Sequence, residues 1–268
     1  MTELAIREAL LPGATVEARV ALARELGFSG VEFAACGLDE RIDEIDEALR
    51  AHDLVASGLH MGETDGWVSA DIERRQHAND MLREALACAL DLDAEYVTFA
   101  PQRGASDMPD LTPFASAMEL QKELLIWLLR GFSDLADAME TKLALLPLNQ
   151  AETRFLTRLE HAAGFCSAVE DHPMIAIAAR TCDVALEETD PLACLRRHQR
   201  ALGVVYLADS GERLPGAGGL PFAEIGAALR AAEYPSWLVV DGRPADDERE
   251  RRQELASCLA YLQECGFC

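Results

Sequence analysis

Residues 203–220 read GVVYLADSGERLPGAGGL. Val204, Val205, Tyr206 and Leu207 form an apolar run that stops at a polar turn, a glycine-rich loop follows, and a helix opens at Pro221. A short apolar run bounded by turn residues and followed by a helical period describes a buried strand, a loop and a helix. In an α/β protein a loop in that position is where a ligand is held.

The same unit recurs along the chain. Strands are expected near Leu4 to Leu10, at Val31 to Ala34, Leu54 to His60, Tyr96 to Ala100, Leu143 to Leu146, Met174 to Ala178 and Trp237 to Asp241. Between them lie helical patterns over about 14–26 (closed by Gly27), 40–51, 70–90, 113–139, 153–170, 190–200, 222–232 and 248–265. Eight strands alternating with eight helices predict an α/β fold, a (β/α)8 TIM barrel, as one domain over residues 1–268.

Bulk composition narrows the functional classes. Half of the 268 residues are apolar, enough for a large core, and no apolar run reaches the roughly 20 residues of a membrane span. The start, MTELAIREALLPG, lacks a basic region followed by a long apolar core, so it does not read as a signal peptide, and a cytoplasmic protein is expected. The formal net charge is −23, with Lys122 and Lys142 the only lysines. Such a surface repels phosphate backbones, so neither nucleic acid nor a membrane is an expected partner. The plain reading is solubility, including in a salty medium that screens the self-repulsion. Eight cysteines are scattered without a metal-ligand pattern; Cys265-Gly-Phe-Cys268 is a C-x-x-C with no second pair and no flanking strand.

Barrels of this class bind ligands at the C-terminal strand ends. That rule selects Glu32, Cys36, His60, Phe99, Leu146, Asn149, Gln150, Arg180, Asp183, Tyr206, Asp209, Arg213 and Asp241. The loop at Pro215 to Gly219 adds Gly216 and Gly218, whose backbone N–H groups could cradle an anion beside Arg213, though a plain strand-to-helix turn reads equally well.

Several stretches resemble the sugar phosphate isomerase/epimerase family, the xylose isomerase-like TIM barrels. They are Leu146-Pro-Leu-Asn-Gln-Ala-Glu-Thr153, Arg180 to Leu192 with its Glu-Glu-Thr-Asp-Pro-Leu ending, and Gly203 to Ser210 running on to Pro215-Gly-Ala-Gly218. Ala23 to Glu32 and Trp237-Leu-Val-Val-Asp-Gly242 are similar to the same family. The resemblance implies a carbohydrate-like small-molecule ligand, often a homo-oligomer, and one divalent metal held by Glu, Asp, His and Glu from strands five to eight. That metal would bind adjacent sugar oxygens and polarise the carbonyl while carboxylates move a proton.

The chain departs from the implied ligand set. Leu146 replaces the first Glu, Arg180 the Asp of the D-T-x-H motif, Asp183 its His, and Val204-Val205-Tyr206 the H-x-H of strand seven. Asp241 alone keeps a carboxylate. One carboxylate does not hold a hard dication, and an arginine at that point repels it. No cofactor is therefore expected, unless a metal binds through shifted ligands such as Asp241, Asp183, Asp209 and His60.

Two readings remain. In one, the barrel isomerises or epimerises a small polyhydroxy, keto-acid or phosphorylated ligand without metal, with Arg180 as oxyanion clamp, Asp241 as base and Tyr206 or His60 as acid. In the other, Arg180 and Asp241 pair and fill a dead site, and the chain is a binding or partner subunit.

Overall fold

The computed structural model describes residues 3–267, and the chain closes as a barrel in which every strand is parallel to the next. The order is β1 (Leu4–Arg7), α1 (Val16–Leu26), β2 (Gly30–Ala34), α2 (Ile42–His52), β3 (Val55–His60), α3 (Ile72–Asp91), β4 (Tyr96–Phe99), α4 (Ala117–Ala138) and β5 (Lys142–Leu145). Then come α5 (Leu159–Ala168), β6 (Ile175–Arg180), α6 (Thr181–Glu187), α7 (Pro191–His198), β7 (Leu202–Leu207), α8 (Phe222–Ala231), β8 (Trp237–Val240) and α9 (Glu248–Glu264). The seam is made by β1 on β8, with Ala5 opposite Val239 and Ile6 opposite Val240. Among the described residues no helix is long and apolar enough to cross a membrane. Cys268, half of the C-x-x-C, lies outside the described residues.

Helix ends follow local chemistry. Thr15 Oγ1 accepts from the Ala18 N–H at 3.1 Å to start α1, and Gly27, at φ +100°, ends it. Ser116 and Glu119 form a capping box at the head of α4.

Two expectations need correction. The helix expected from Thr153 begins only at Leu159. Residues 149–153 instead form a turn closed by the Asn149 carbonyl, and Thr153 Oγ1 donates to Gln102 Oε1 at 2.6 Å, tying that loop to the one after β4. Between β6 and β7 the chain makes two short helices, α6 and α7, where one was expected.

Strand residues alternate between two apolar layers, as the period of two requires. Val205 and Leu207 pack outward into the core under the helices, whereas Val204 and Tyr206 point into the barrel with Ala5, Ala144, Ala176, Ala178 and Val239. Small residues there make room for large ones. A Cβ on Gly58 would lie 2.2 Å from the Tyr96 ring, so only glycine lets that ring cross the lumen. The same parity carries Arg7, Glu32, His60, Thr98, Leu146, Arg180 and Asp241 to the top of the barrel interior.

Candidate functional site

The mouth holds a cavity of about 250 Å3. Its floor is built on Arg7, the last residue of β1. Arg7 Nε donates to Glu32 Oε2 at 2.8 Å, Nη1 donates to Asp241 Oδ1 at 3.0 Å, and the guanidinium lies 4.4 Å from the Tyr206 ring centroid. Glu32 is fully buried, and its other oxygen accepts from the Tyr206 hydroxyl at 2.6 Å and the Tyr96 hydroxyl at 3.1 Å. Tyr206, donating to Glu32, accepts in turn from Thr98 Oγ1 at 2.7 Å.

Burial sets the protonation of this network. It pushes the Glu32 carboxyl up, against the pull of Arg7 and Tyr206, and holds both tyrosine hydroxyls well above their usual range, with the nearby Glu32 charge adding to it. Burial opposes the Arg7 charge, but Asp241 and Glu32 outweigh it and Arg7 stays a cation.

A second set of charges lines the wall. Arg180 Nε donates to Asp183 Oδ2 at 2.7 Å, and its Nη2 donates to Asp183 Oδ1 at 3.1 Å, Glu152 Oε1 at 3.0 Å and Glu212 Oε1 at 3.5 Å. Glu152 also accepts from Arg103 at 2.8 Å, and Glu212 pairs with Arg243 at 2.5 Å. Arg103, Glu152, Arg180, Glu212 and Arg243 thus alternate in sign along one side of the mouth. Asn149 Nδ2 donates to both Glu152 and Asp183, bracing the pair from behind.

His60 enters from the end of β3. Burial and the Arg7 charge push it down to about 3, so it is a neutral imidazole, and its Nδ1 is buried without a hydrogen-bond partner among the described residues.

Of the residues expected at the site, His60, Phe99, Leu146, Arg180 and Asp241 line this cavity. Glu32 and Tyr206 sit beneath it, Asn149 and Asp183 behind Arg180. Gln150 is exposed and bonds Glu187 on the outer surface. The expected Arg180–Asp241 bridge is not formed: Arg7 takes Asp241, and three other carboxylates take Arg180. Tyr206 is completely buried and its proton goes to Glu32, so it does not face a ligand in this cavity.

The glycine loop takes the second of its two readings, the plain strand-to-helix turn. Its N–H groups are already satisfied from within. Asp209, almost fully buried, accepts from the N–H of Ser210 at 2.7 Å, Gly216 and Gly218 at 3.0 Å each, and Leu220 at 2.9 Å. Arg213 caps the same loop by donating to the Ala217 carbonyl at 2.8 Å. The loop is a turn folded around a carboxylate and holds no cradle for an external anion.

Sequence reasoning missed Arg7, Glu63, Arg103, Glu152, Glu212 and Arg243, all of which line the cavity. Arg7 had a signal, since it shares the lumen parity of Ala5. The other five lie on loops with no period to mark them.

The residues present do not fit the divalent metal that the resemblance implies. Leu146 offers no donor, and the Arg7 and Arg180 guanidiniums are bonded to the carboxylates that a cation would need. Asp209 and Asp183 are each saturated by N–H donors elsewhere. Among the described residues no group of three or more His, Cys, Asp or Glu stands close enough to share an ion.

A closed parallel barrel with a polar mouth lined by carboxylates and arginines defines an α/β TIM-barrel protein. Residues 20–265 match the family model described as "Xylose isomerase-like TIM barrel", and the chain belongs to that family. It is 25% identical over 245 residues, covering 90% of this chain and 92% of the relative, to 3-dehydro-D-guloside 4-epimerase of Escherichia coli (strain K12). A 113-residue stretch is 31% identical to D-psicose 3-epimerase of Enterocloster bolteae (strain ATCC BAA-613), covering 42% of this chain and 37% of that protein. In structure it resembles 3-keto-D-glucoside 4-epimerase from E. coli, apo form, with a TM-score of 0.88 at 22% identity over 99% of this chain and 100% of that one.

Proposed function

We propose that this chain epimerises or isomerises a small polyhydroxy carbonyl compound at its barrel mouth, without a divalent metal. The observation that carries the reading is the Arg7–Asp241 pair at 3.0 Å on the floor of the cavity. Asp241 removes the proton from a carbon next to the carbonyl. The electron pair of that C–H bond becomes the enediolate double bond, and the carbonyl π electrons move onto oxygen. Arg7, with Arg180 at the adjoining wall, stabilises that oxyanion. Glu152 reaches the cavity from the β5 side, so a proton can return to the opposite face and invert the centre. Neutral His60, on the cavity wall, hydrogen-bonds a substrate hydroxyl. The relatives' epimerase activities support the reaction class.

The test is proton exchange. The protein is incubated in D2O with EDTA and, in turn, a 3-ketoglucoside, D-psicose and D-fructose, and loss of the α-proton signal is followed by NMR. Exchange that survives EDTA and falls at least about 100-fold in Asp241→Asn is expected. Exchange that needs added Mn2+ contradicts it.

One observation favours a second reading. The wall arginines are already neutralised by carboxylates, an arrangement that stands without a ligand and suits a catalytically silent binding subunit. Binding of those sugars without any exchange selects it.

A further inference from the structure

The reaction proposed above leaves one buried carboxyl, Glu32, without a part. The charges around it do not cancel. Arg7 from β1 is flanked by two carboxylates, Glu32 from β2 at 2.8 Å and Asp241 next to β8 at 3.0 Å. His60 on β3 is neutral, and the Tyr96 and Tyr206 hydroxyls of β4 and β7 keep their protons. One cation against two anions leaves a surplus negative charge at the base of the mouth. Glu32 is 0% exposed, so that charge is held out of water, and a single added proton relieves it. As a counter-ion for Arg7 alone, Glu32 duplicates Asp241.

A route for that proton leads to the cavity. Thr98 of β4 lines the cavity and is the register partner of His60. Its Oγ1 donates to the Tyr206 hydroxyl at 2.7 Å, and that hydroxyl donates to Glu32 Oε1 at 2.6 Å. Both bonds are at or below the usual O–H···O length, and both point from the cavity toward the carboxyl. Tyr96 also donates to Glu32, at 3.1 Å, but does not line the cavity, so it steadies the carboxylate without extending the route.

We propose that Thr98, Tyr206 and Glu32 form a relay that takes a hydroxyl proton from the substrate and returns it to the neighbouring oxygen. The inference rests on the enediolate chemistry proposed above and separates its two outcomes. Inverting a carbon beside a carbonyl moves only the carbon-bound proton, whereas interconverting a ketose and an aldose also moves a proton between adjacent oxygens. In that second case the enediolate O–H bond breaks and its electron pair forms the new carbonyl. The carbon–carbon π pair takes back the proton held by Asp241. The hydroxyl proton joins Thr98 Oγ1, the Thr98 proton joins the Tyr206 oxygen, and the Tyr206 proton joins Glu32 Oε1. Run in reverse, the relay protonates the former carbonyl oxygen, now an alkoxide, and Glu32 is a carboxylate again. Only Thr98 touches the substrate; Glu32 acts through the two hydroxyls.

The test uses D-fructose and D-psicose with EDTA, and far-UV circular dichroism to confirm that each variant is folded. Exchange of the α-proton into D2O, by NMR, and aldose formation, by chromatography, are read on the same samples. The wild-type chain is expected to form aldose. Thr98→Val keeps the shape without the hydroxyl, and is expected to lower kcat for aldose formation at least about tenfold more than it lowers exchange, with KM little changed. Thr98→Ser restores the hydroxyl and the rate. Tyr206→Phe, which cuts the relay one step deeper, is expected to give the same split. Exchange without aldose, or equal losses of both in Thr98→Val and Tyr206→Phe, overturns this inference and leaves the reading above standing. Absence of exchange from both ketoses also overturns it, and absence from a 3-ketoglucoside as well removes the reading above.

Discussion

The Arg7 guanidinium holds two carboxylates at once, and that makes it the residue on which the mouth depends. It is side-chain-bonded to Glu32 below and Asp241 at the cavity. Removing one partner of such a buried set leaves the others charged and unpaired, which costs about 3–5 kcal/mol. Arg7→Ala is expected to lower unfolding stability by about that amount in urea, and Arg7→Ala with Glu32→Gln to recover part of it. Additive losses in that cycle contradict the assigned coupling. His60 gives a second prediction. Its folded-state pKa of about 3 lies below the unfolded value of about 6.5, so the unfolded chain binds the extra proton between them. Stability contributed by His60 is therefore present above pH 6.5 and falls as pH drops. Between pH 7 and 5, His60→Gln is expected to lose roughly 1–2 kcal/mol less than the wild-type chain in urea titrations. Equal losses contradict it. At this scale the sequence pointed to part of the site. His60, Arg180 and Asp241 sit at strand ends that an apolar period makes visible, whereas which arginine meets which carboxylate is decided by loops between strands far apart in sequence.

At the scale of elements, period and caps carried the reading and short-range polar bonds limited it. Every strand is found close to where alternation places it, because a barrel strand must divide its side chains between lumen and helix layer. The head of α5 was misplaced because Asn149 and Thr153 hold a turn that composition does not distinguish from a helix start. The glycine loop stays open between a cradle and a plain turn for a similar reason: four N–H groups look free until Asp209 is seen among them. Asp209→Ala leaves those donors unpaired, and a stability loss of about 2–4 kcal/mol is expected, with proteolytic cleavage rising in residues 209–220. An unchanged cleavage pattern contradicts the role given to Asp209. Gly58→Ala tests the lumen in the same way. The added methyl meets the Tyr96 ring, and since that ring is also bonded to Glu32, it cannot swing clear without breaking the floor of the mouth. A loss of about 3 kcal/mol is expected in urea.

The whole molecule carries 24 basic side chains against 47 acidic ones. Its surface ion pairs, such as Arg24–Asp53 and Arg83–Asp80, are exposed and worth little each, so screening them removes little. The general repulsion among the surplus carboxylates is exposed too, but it is long-ranged and summed over the entire surface, and screening it is a gain for the compact state. The Arg7 and Arg180 clusters are half-buried at the mouth and are screened less than the exposed pairs. The balance therefore favours salt. Raising NaCl from 10 mM to 0.5 M at pH 7.5 is expected to raise the thermal midpoint by several degrees, with most of the gain below 0.2 M, where the Debye length shortens fastest. Differential scanning fluorimetry with KCl alongside NaCl separates screening from ion-specific binding, because screening gives both salts the same curve. A midpoint that falls with salt means that attractive pairs outweigh the net charge, and contradicts the screening account.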